Sequence, residues 1–385
     1  MLERPISKAG WTRVAFGDVV RKVNDKVDPW DSGLERYVAG EHMDTDDLRI
    51  RRWGLIGDDY LGPAFHMRFK PGHVLYGSRR TYLRKVALAD FEGITANTTF
   101  VLETKDPARL MPDLLPFLMQ TEAFHSYSIK HSKGSVNPYI NFSDLEAFEF
   151  LLPPIQEQAR LLQALTIVQS CFVELSGLVG ASDVLIQSFV RETVKQMKAS
   201  GVRQVSLGQI SDVITGKTPS TADQALWNGA VPFATPGDFG FREPYLIDCE
   251  RHISEEGARF SRTVPEGSSL VVCIGSTIGK VAMCKQRMAF NQQINALVPK
   301  HVQPRFLFIS LLECGLELRK RSGTTAVPII NKSAFEAIET PVPELAVQHA
   351  ISKRFDDLLS GFQRASGRFE GIKGVRNHIV SEVCQ

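Results

Sequence analysis

Two short stretches hold residue types that could carry out phosphate or metal chemistry. The stretch GSTIGK, from Gly275 to Lys280, has the composition of a phosphate-binding loop. The Gly-x-x-x-x-Gly-Lys motif needs one more residue between its glycines, however, and Val281 stands where it requires a metal-binding Ser or Thr. Asp90 followed by Glu103-Thr104-Lys105 could be arranged as a nuclease site, but such spacing arises by chance in most chains of this length. Neither stretch predicts a catalytic centre.

A third stretch, Asn137-Pro138-Tyr139, is close to the Asn-Pro-Pro-Tyr loop that positions a target amine in DNA aminomethyltransferases. One proline is missing, and no glycine-rich loop for a methyl donor accompanies it. The histidines show no His-Glu-x-x-His spacing and the six cysteines no Cys-x-x-Cys pair. The sequence therefore predicts no catalytic residue, no metal ligand and no cofactor, and it indicates the reduced thiols of a cytoplasmic protein.

A basic cluster lies between His66 and Val86, where the sequence HMRFKPGHVLYGSRRTYLRKV contains no acidic residue. Tyr76 and Tyr82 are interleaved with its charges, and Arg79-Arg80 falls in an expected loop, where arginine can reach guanine edges. The alternative is a solvated basic face. The residues that we predict to bind DNA here are Arg68, Lys70, Arg79, Arg80, Tyr82, Arg84 and Lys85.

The second half of the chain repeats the first at a distance of about 190 to 195 residues. Phe16-Gly17 corresponds to Leu207-Gly208, and Lys85-Val86-Ala87 corresponds to Lys280-Val281-Ala282. Further matches are Tyr37-Val38 with Val231-Pro232, Asp44 with Asp238, Gly72 with Gly267, Asn97 with Asn291, Ser132 with Ser322, Pro138 with Pro328, Asn141 with Asn331, Pro153 with Pro343 and Gln158 with Gln348. Their order and spacing predict a duplicated unit, and the alternative is that two α/β domains share turn residues by chance.

The repeat extends the DNA-binding prediction into the second half. The counterpart of the basic cluster, SSLVVCIGSTIGKVAMCK, keeps only two lysines, and its small residues allow close approach of the backbone. Each repeat has one basic turn at the same place, Lys130–Gly134 in the first repeat and Arg319–Gly323 in the second. Such turns suit phosphate contacts, which position DNA without specifying its sequence. From these stretches and from GKTPST at Gly216, we predict DNA contacts by Lys130, Lys133, Lys217, Ser276, Thr277, Lys280, Arg319, Lys320 and Arg321.

Each repeat opens with short strand-like runs and closes with a long helical pattern. After Pro153-Pro154, apolar residues alternate in steps of four and three from Leu161 to Phe189. The same alternation follows Pro343, with Arg376 as its polar intrusion. These seams predict two helices of roughly 40 residues, about 60 Å long, that pack against each other, although their glycines cost up to about 1 kcal/mol each. The alternative is that each helix folds back on its own domain.

Length and composition limit the function classes. A chain of 385 residues exceeds the usual size of one hydrophobic core, so we expect two domains. An apolar fraction of 43% and a charged fraction of 23% are ordinary. We expect no stretch long and apolar enough to span a bilayer, no signal segment in MLERPISKAGW, no membrane partner and a cytoplasmic location. A net charge of +2 permits nucleic-acid binding where positive charge is clustered.

The sequence resembles the specificity (S) subunits of type I restriction-modification systems along essentially its whole length. The resemblance is carried by GKTPSTADQALWNGAVPFATPGDF from Gly216, by SGTTAVPIINKSAFEAIETPVPELAVQHAI from Ser322, and by NFSDLEAFEFLLPPIQEQARLLQAL from Asn141. The first repeat departs from the family pattern, because it has GSRRTYLRKV where a glycine-rich turn is usual. Its base contacts are therefore the least transferable.

The resemblance implies a mixed α/β (α+β) fold with two duplicated target-recognition domains separated by two long antiparallel, coiled-coil-like helices. The expected segments are a first target-recognition domain over residues 1–153, a central conserved helix over 154–200, a second domain over 201–342 and a C-terminal conserved helix over 343–385.

The implied function is sequence-specific DNA binding without catalysis. The expected partners are double-stranded DNA with a bipartite target, two methyltransferase (modification) subunits that use S-adenosylmethionine, and in some systems motor-nuclease (restriction) subunits. The paired helices would set the separation of the two half-sites and dock the methyltransferase subunits. One alternative is the specificity subunit of a related enzyme whose partner combines methylation and cleavage. Another is a stand-alone DNA-binding or interaction protein with decayed recognition domains.

Overall fold

The computed structural model describes residues 8–58, 60–240, 244–322 and 329–382, and it leaves the side chains of residues 320–322 and 382 undescribed. The chain divides into two units. Unit 1 holds the residues up to Ser176 together with those from Gly367 onward, and unit 2 holds Gly177–Ser366. Each unit contains one copy of the repeat and a part of both long helices, so the two helices belong to neither domain alone.

Unit 1 contains two four-stranded sheets and one two-stranded sheet. Its strands are β1 (Thr12–Ala15), β2 (Val20–Lys22), β3 (Arg36–Val38), β4 (Gly54–Leu55), β5 (Phe65–Phe69), β6 (Val74–Gly77), β7 (Val86–Leu88), β8 (Gly93–Ala96), β9 (Thr99–Thr104) and β10 (Glu149–Leu152). Its helices are α1 (Phe16–Val19), α2 (Leu115–Leu118), α3 (Glu122–Lys130), α4 (Phe142–Glu146) and the start of the long helix α5 (Ile155–Ala199). The strand orders are β2-β9-β6-β7, β4-β3-β8-β5 and β1-β10.

The central strands of unit 1 are buried on both faces. Along β6, Val74 and Tyr76 belong to the core formed with the short helices, whereas Leu75 belongs to a second core shared with the other sheet. Alternate side chains of a strand point to opposite faces, so one strand supplies both cores. The loops that connect these strands are therefore held on a rigid base.

Unit 2 has the same arrangement with one additional strand. Its strands are β11 (Gln204–Ser206), β12 (Ser211–Thr215), β13 (Trp227–Ala234), β14 (Tyr245–Leu246), β15 (Arg251–Ile253), β16 (Thr263–Val264), β17 (Ser269–Val272), β18 (Val281–Cys284), β19 (Met288–Phe290), β20 (Ile294–Pro299) and β21 (Glu339–Pro341). Its helices are α6 (Leu207–Ile210), α7 (Glu255–Phe260), α8 (Pro304–Ser322), α9 (Lys332–Glu336) and the start of the long helix α10 (Leu345–Glu382). The strand orders are β12-β20-β17-β18-β14, β15-β13-β19-β16 and β11-β21.

Strand registers confirm the predicted repeat around β6 and β17, and they correct the predicted matches of Tyr37, Asp44 and Asn97. Val74 pairs with Leu88 in unit 1, and Ser269 pairs with Met283 about 195 residues later in unit 2. Tyr37, however, pairs in parallel with Ile94, and the corresponding strand pairs Phe233 with Ala289. Tyr37 therefore corresponds to Phe233, and the predicted match to Val231 was wrong by two residues.

The predicted match between Asp44 and Asp238 was wrong for the same reason. Short 3-10 helices at Gly40–His42 and Pro236–Asp238 follow the equivalent strands. Asp238 Oδ2 accepts a hydrogen bond from the Thr235 amide at 2.7 Å, and His42 Nδ1 accepts one from the Ala39 amide at 3.1 Å. His42 is thus the counterpart of Asp238, with an imidazole nitrogen in place of a carboxylate oxygen.

The two long helices pack antiparallel, as the heptad seams predicted. In unit 1, Phe172 contacts Phe369 with ring centroids 4.9 Å apart, and Leu161 lies in the same core as Val380. In unit 2, Phe189 contacts Phe355 at 6.4 Å, and further along α5 residue Val194 packs with Ile351. In each unit, contacts further along α5 are made to residues with lower numbers in α10, so the two helices run in opposite directions. The predicted mixed fold of two duplicated domains with two long antiparallel helices is confirmed.

Each long helix is tied to its own domain by a buried glutamine in its first turns. Gln158 Nε2 donates to the Pro153 carbonyl at 2.8 Å, and its Oε1 accepts from the Met111 amide at 2.9 Å. Gln348 repeats this arrangement in unit 2, with 2.9 Å to the Pro343 carbonyl and 2.9 Å from the Gln303 amide. The match between these two glutamines therefore reflects one structural role.

Helix α5 is more apolar than the sequence analysis expected. An 18-residue window within α5 has a mean hydropathy of 1.5. By length and composition the helix could therefore cross a membrane. The expectation that the chain has no such stretch was wrong. The heptad seam accounts for only part of this apolar character, because just 11% of the window is buried within the chain. Ile167, Leu178, Val184 and Leu185 are each more than half exposed.

Candidate nucleic-acid interface

The loop between β6 and β7 (residues 78–85) is attached to two neighbouring segments of unit 1. The Ser78 amide donates to the Thr98 carbonyl at 3.0 Å, in the turn between β8 and β9. On its other side, the Arg80 amide donates to the Pro138 carbonyl at 2.6 Å, and the Ile140 amide donates to the Ser78 carbonyl at 3.0 Å. These are backbone bonds, so they hold the loop regardless of its side chains.

The neighbouring segment is a small hairpin (residues 133–139) that follows α3. Lys133 and Tyr139 exchange backbone hydrogen bonds of 2.7 and 2.9 Å, and the side chain of Val136 near its tip is 84% exposed. The hydroxyls of Thr81 and Ser132 lie 2.7 Å apart and join the hairpin to the β6–β7 loop. The structure therefore brings two predicted basic segments together, although they are far apart in sequence. The predicted site residues that meet here are Arg79, Arg80, Tyr82, Lys130 and Lys133.

The side chains at this surface differ in how free they are. Arg79 and Lys130 are exposed and have no ion-pair or hydrogen-bond partner for their side chains among the described residues. Tyr82 is 52% exposed, and Arg80 Nε donates to Asn137 Oδ1 at 3.0 Å. Lys133 Nζ lies 2.9 Å from Asp144 Oδ2, and this hydrogen bond holds the pKa of that carboxyl below its usual range. Of the predicted cations described at this surface, Arg79 and Lys130 are consequently the most available to a ligand.

Two arginines of the β6–β7 loop adopt a left-handed backbone conformation. Arg80 has φ 51° and Arg84 has φ 52°, a region that costs a side chain other than glycine roughly 1–2 kcal/mol. In unit 2, Gly275 and Gly279 occupy the corresponding positions with φ 100° and 79°. The two loops thus share one backbone path, and unit 1 keeps that path without the family's glycines. Strained residues of this kind are often found at functional sites.

Arg84 is partly buried and lies between two acidic side chains of unit 1. Its Nε lies 3.0 Å from Asp46 Oδ1 and its Nη1 lies 2.6 Å from Glu122 Oε1. Burial, followed by the Arg84 charge, lowers the pKa of the neighbouring His125 to about 3, so that imidazole is neutral at physiological pH. Because two carboxylates bind Arg84, we interpret it as a residue that holds the loop in place.

The other predicted residues of the first basic cluster are also paired. Arg68 Nε donates to Glu92 Oε1 at 2.7 Å, and Lys70 Nζ lies 3.8 Å from Asp25 Oδ2. Lys85 Nζ donates to the Gly40 carbonyl. Tyr76, which the sequence analysis grouped with the cluster, is 1% exposed, and burial raises its pKa to about 12. Tyr76 is therefore a core residue.

In unit 2, the predicted residues also separate into exposed and anchoring groups. Lys217 and Ser276 are exposed, and Thr277 is half-buried. Lys280 Nζ donates to the Phe239 carbonyl at 2.8 Å, and Arg319 donates to the Gly279 carbonyl at 3.0 Å. Lys280 and its counterpart Lys85 both bind a backbone carbonyl, which indicates a structural role for this repeated lysine. The side chains of Lys320 and Arg321 lie outside the described part of the chain.

The loop between β17 and β18 (residues 273–280) is attached in the same way as its counterpart. The Cys273 amide donates to the Gln293 carbonyl at 2.8 Å, and the Ile330 amide donates to the Cys273 carbonyl at 3.0 Å. These bonds match those of Ser78 with Thr98 and Ile140. Each unit therefore presents a loop of one backbone shape beside a turn and a second segment.

Sequence reasoning missed the turn that lies beside each loop. Asn97 is exposed in the β8–β9 turn, and Gln292 is exposed in the β19–β20 turn (residues 291–293). The repeat could have indicated these positions, but it paired Asn97 with Asn291, which is one residue away from the structural counterpart Gln292. The missing information was the strand register.

The described residues contain no group of three His, Cys, Asp or Glu side chains placed to hold a metal ion. Burial raises the pKa of both Cys273 and Cys284 to about 12, so these thiols carry no thiolate near neutral pH. The cysteines described, Cys171, Cys249, Cys273, Cys284 and Cys314, are all free thiols.

Comparison with known proteins gives a consistent result. The sequence profile of the type I restriction modification DNA specificity domain matches residues 10–177 and again residues 199–366. The chain is 29% identical over 160 residues to the type I restriction enzyme HindI specificity subunit of Haemophilus influenzae, a match that covers 40% of this chain and 34% of that protein. A match to the MjaIX specificity subunit of Methanocaldococcus jannaschii is 28% identical over 172 residues and covers 42% and 40% of the two chains. Each match thus spans well under half of the relative.

Solved structures share the fold over the full length. The S subunit of a type I restriction-modification system from M. genitalium superposes with a TM-score of 0.61 at 15% identity, covering 100% of this chain and 98% of that one. A chain from a study of complex assembly in a type I restriction-modification system gives 0.58 at 19% identity, covering 99% and 98%. The family's domain is thus matched twice, and the two matches together cover most of the chain. The chain therefore belongs to the family of type I restriction-modification DNA specificity subunits.

Proposed function

We propose that this chain reads a bipartite DNA target, with one half-site bound by each unit, and that it directs the methylation and restriction carried out by partner subunits. The observation that carries the proposal is the repeated loop. Residues 78–85 and 273–280 have the same backbone path and attachments but different side chains. A shared backbone that presents different side chains is suited to reading two different sequences in the same way.

The exposed groups of each unit fit this division of work. In unit 1, the exposed guanidinium groups of Arg79 and Arg80 would donate to guanine edges, and the exposed ammonium group of Lys130 would contact a phosphate. In unit 2, Ser276 and Thr277 supply small hydroxyl groups, and Lys217 is free for a phosphate. Unit 2 therefore carries less charge at its loop and depends more on neutral hydrogen bonds.

Catalysis is assigned to the partners. We place methyl transfer in two modification subunits and cleavage in motor-nuclease subunits, with this chain as the non-catalytic DNA-recognition subunit in the cytoplasm. The exposed apolar side chains of α5, among them Ile167, Val184 and Leu185, support a partner surface there, because exposed apolar surface of this kind marks interaction sites. A protein partner on α5 also accounts for the apolar window without a membrane.

The experiment is an exchange of Trp11–Leu152 for the corresponding segment of another specificity subunit. Thr12 pairs with Leu152 in the β1–β10 sheet, so both junctions lie next to each other at one edge of unit 1. We expect the methylated motif in cells to change in one half-site and to keep the other. A motif that changes in both half-sites, or in neither, contradicts independent reading.

The matched control tests whether the two junctions by themselves disturb the protein. The same two junctions are built with the chain's own Trp11–Leu152 segment reinserted, including any linker residues that cloning leaves behind. This control should methylate the original motif at the original level. Loss of methylation in the control would trace a failed exchange to the junctions.

A further inference from the structure

Both units carry an exposed side-chain amide at the same point of the fold. In unit 1, Asn97 lies in the β8–β9 turn, directly before Thr98, whose carbonyl accepts from the Ser78 amide of the β6–β7 loop. In unit 2, Gln292 lies in the β19–β20 turn, directly before Gln293, whose carbonyl accepts from the Cys273 amide of the β17–β18 loop. The strand registers on either side make Asn97 and Gln292 structural counterparts.

The backbone does not require an amide at these positions. Asparagine is favoured in turns because its side chain can hydrogen-bond the nearby backbone and because it tolerates a left-handed conformation, but neither Asn97 nor Gln292 has a positive φ. Glutamine has no comparable preference for turns. The Asn97 side chain has no hydrogen-bond partner among the described residues, so it does not stabilise the turn either. An exposed amide at the same point of both units, which the backbone of the turn does not require, points to a ligand.

The surroundings orient the amide of Gln292. The Thr218 hydroxyl donates to Gln292 Oε1 at 2.7 Å. The backbone that carries Thr218 is pressed against the turn, because a Cβ on Gly216 would lie 2.1 Å from the Asn291 carbonyl oxygen. With one lone pair of Oε1 used, the other lone pair and both Nε2 protons remain free. The amide can therefore still accept one hydrogen bond and donate another in its plane.

One acceptor and one donor side by side match the major-groove edge of adenine. Adenine presents its N6 amino group as a donor and N7 as an acceptor, and Asn or Gln binds this pair in a bidentate way. We propose that Asn97 and Gln292 are specificity-determining residues, each reading an adenine in the half-site of its own unit, with Thr218 as the positioning residue for Gln292. This inference rests on the proposed function.

The test is a base-preference profile, obtained by selecting bound duplexes from a randomised DNA pool with the 385-residue chain and its modification subunits. We expect the wild-type profile to contain an A·T pair that Gln292→Ala flattens by on the order of tenfold, while the other half-site is unchanged. Asn97→Ala should flatten one A·T pair in the opposite half-site. Gln292→Glu should move its position towards cytosine, because a carboxylate accepts from the cytosine N4 amino group.

The matched control is Gln286→Ala, since Gln286 is an exposed glutamine of unit 2 on a different turn, where it donates to the Ile247 carbonyl at 2.6 Å. It should leave the whole profile unchanged. Thr218→Val should weaken the same A·T preference as Gln292→Ala, although less. Thermal unfolding of each variant checks that these exposed substitutions leave the fold intact.

The outcomes separate this inference from the proposed function. A wild-type chain that selects no motif would overturn both. A wild-type motif that is the same in all variants, or that changes at a G·C pair or in both half-sites at once with Gln292→Ala, would overturn the adenine assignment alone. A profile altered equally by Gln286→Ala would also overturn it.

Discussion

At the scale of single residues, the β6–β7 loop of unit 1 separates into side chains that point outward and side chains that hold it. Arg79 is exposed without a partner, whereas Arg84 binds Asp46 and Glu122. The sequence could not distinguish these arginines, because both acidic partners of Arg84 lie far along the chain. Basic clusters predict that a surface is charged, but tertiary contacts decide which of the charges remain available.

The first prediction compares two substitutions of Arg80. Both Arg80→Gly and Arg80→Ala remove the guanidinium group, so both should relax base preference by about 1–3 kcal/mol at one base pair. Only glycine relieves the left-handed backbone, so Arg80→Gly should be more stable to unfolding than Arg80→Ala by about 1 kcal/mol. Denaturant unfolding and binding to duplex variants measure the two effects. Equal stabilities would mean that φ 51° carries no strain here.

The second prediction concerns two lysines near the 133–139 hairpin. Lys130 has no partner among the described residues, whereas Lys133 is held by Asp144. Lys130→Ala should weaken binding to all sequences alike and reduce the salt-dependence slope by about 1. Lys133→Ala should do the same to a smaller extent, because its charge is already shared with a carboxylate. The measurement is affinity against salt concentration, and a base-specific loss with either variant would reverse the phosphate assignment.

The third prediction follows from the buried imidazole of His125. Its pKa is about 3 in the folded chain, against an ordinary value of 6.5, so the unfolded chain binds more protons between these values. Stability is therefore complete above pH 6.5 and is lost as the pH falls, by on the order of 2 kcal/mol at pH 5. His125→Leu should remove this loss, as measured by unfolding between pH 7 and pH 5.

The control for His125 is His349→Leu on the exposed side of α10, which should leave the pH dependence of the wild-type chain in place. If His125→Leu has the same acid profile as the wild type, then the loss of stability comes from other groups.

At the scale of elements, the heptad seams and the repeat were predictable because both depend on spacing along the chain. Phe172 and Phe369 were placed on the seams by periodicity alone, and they are in contact. The register at Tyr37 was not predictable, since it depends on pairing with Ile94 in another strand. The anchoring role of Lys85 and Lys280 was hidden for the same reason, because a repeated lysine suits a phosphate contact as well as a backbone carbonyl.

The polar intrusion in the second seam has a partner that periodicity could not show. Arg376 is 4% exposed, donates to Gln120 Oε1, and lies 5.0 Å from the Phe172 ring centroid. Burial lowers the pKa of this arginine. Because Gln120 is itself buried, the pair connects the end of α10 to the domain of unit 1 and favours one register of the helices.

The fourth prediction tests this pair with a double-mutant cycle. Arg376→Met should destabilise the chain by about 1–3 kcal/mol, because it leaves the Gln120 amide buried without a partner. Adding Gln120→Leu should recover most of that loss, since two apolar groups can replace a buried polar pair. Unfolding of the single and double variants gives the coupling energy. Additive effects would show that the two residues do not interact.

At the scale of the whole molecule, two continuous helices connect the two copies of the repeat. Helix α5 spans 45 residues and α10 spans 38, without interruption in the described residues despite their glycines. On the proposed function, their length sets the gap between the two half-sites of the target.

The fifth prediction is that one heptad inserted into both helices, after Val179 and after Phe362, widens that gap. Seven residues keep the apolar seam in register and lengthen each helix by about 10 Å. This is roughly three base pairs at about 3.4 Å each, and it also turns one half-site by about 100° around the duplex. We expect methylated motifs with unchanged half-sites and a gap wider by about one to three base pairs, or a loss of methylation.

The matched control for the heptad is a four-residue insertion at the same two places. It adds less length and rotation but breaks the seam, so its response should be intermediate. Sequencing of the methylated sites in cells carrying each variant is the measurement. An unchanged gap with full methylation would show that the helices clasp or dock without setting the spacing.

The backbone attachment of the two loops has a consequence for how such proteins diversify. The bonds from Arg80 to Pro138 and from Ile140 to Ser78 use main-chain atoms, and unit 2 repeats the second of them with Ile330 and Cys273. Substitutions of the exposed side chains therefore leave these main-chain bonds in place, so that on the proposed function the target can change while the loop stays attached. On the proposed function, such a scaffold separates the side chains that determine the target from the main-chain bonds that hold the loop.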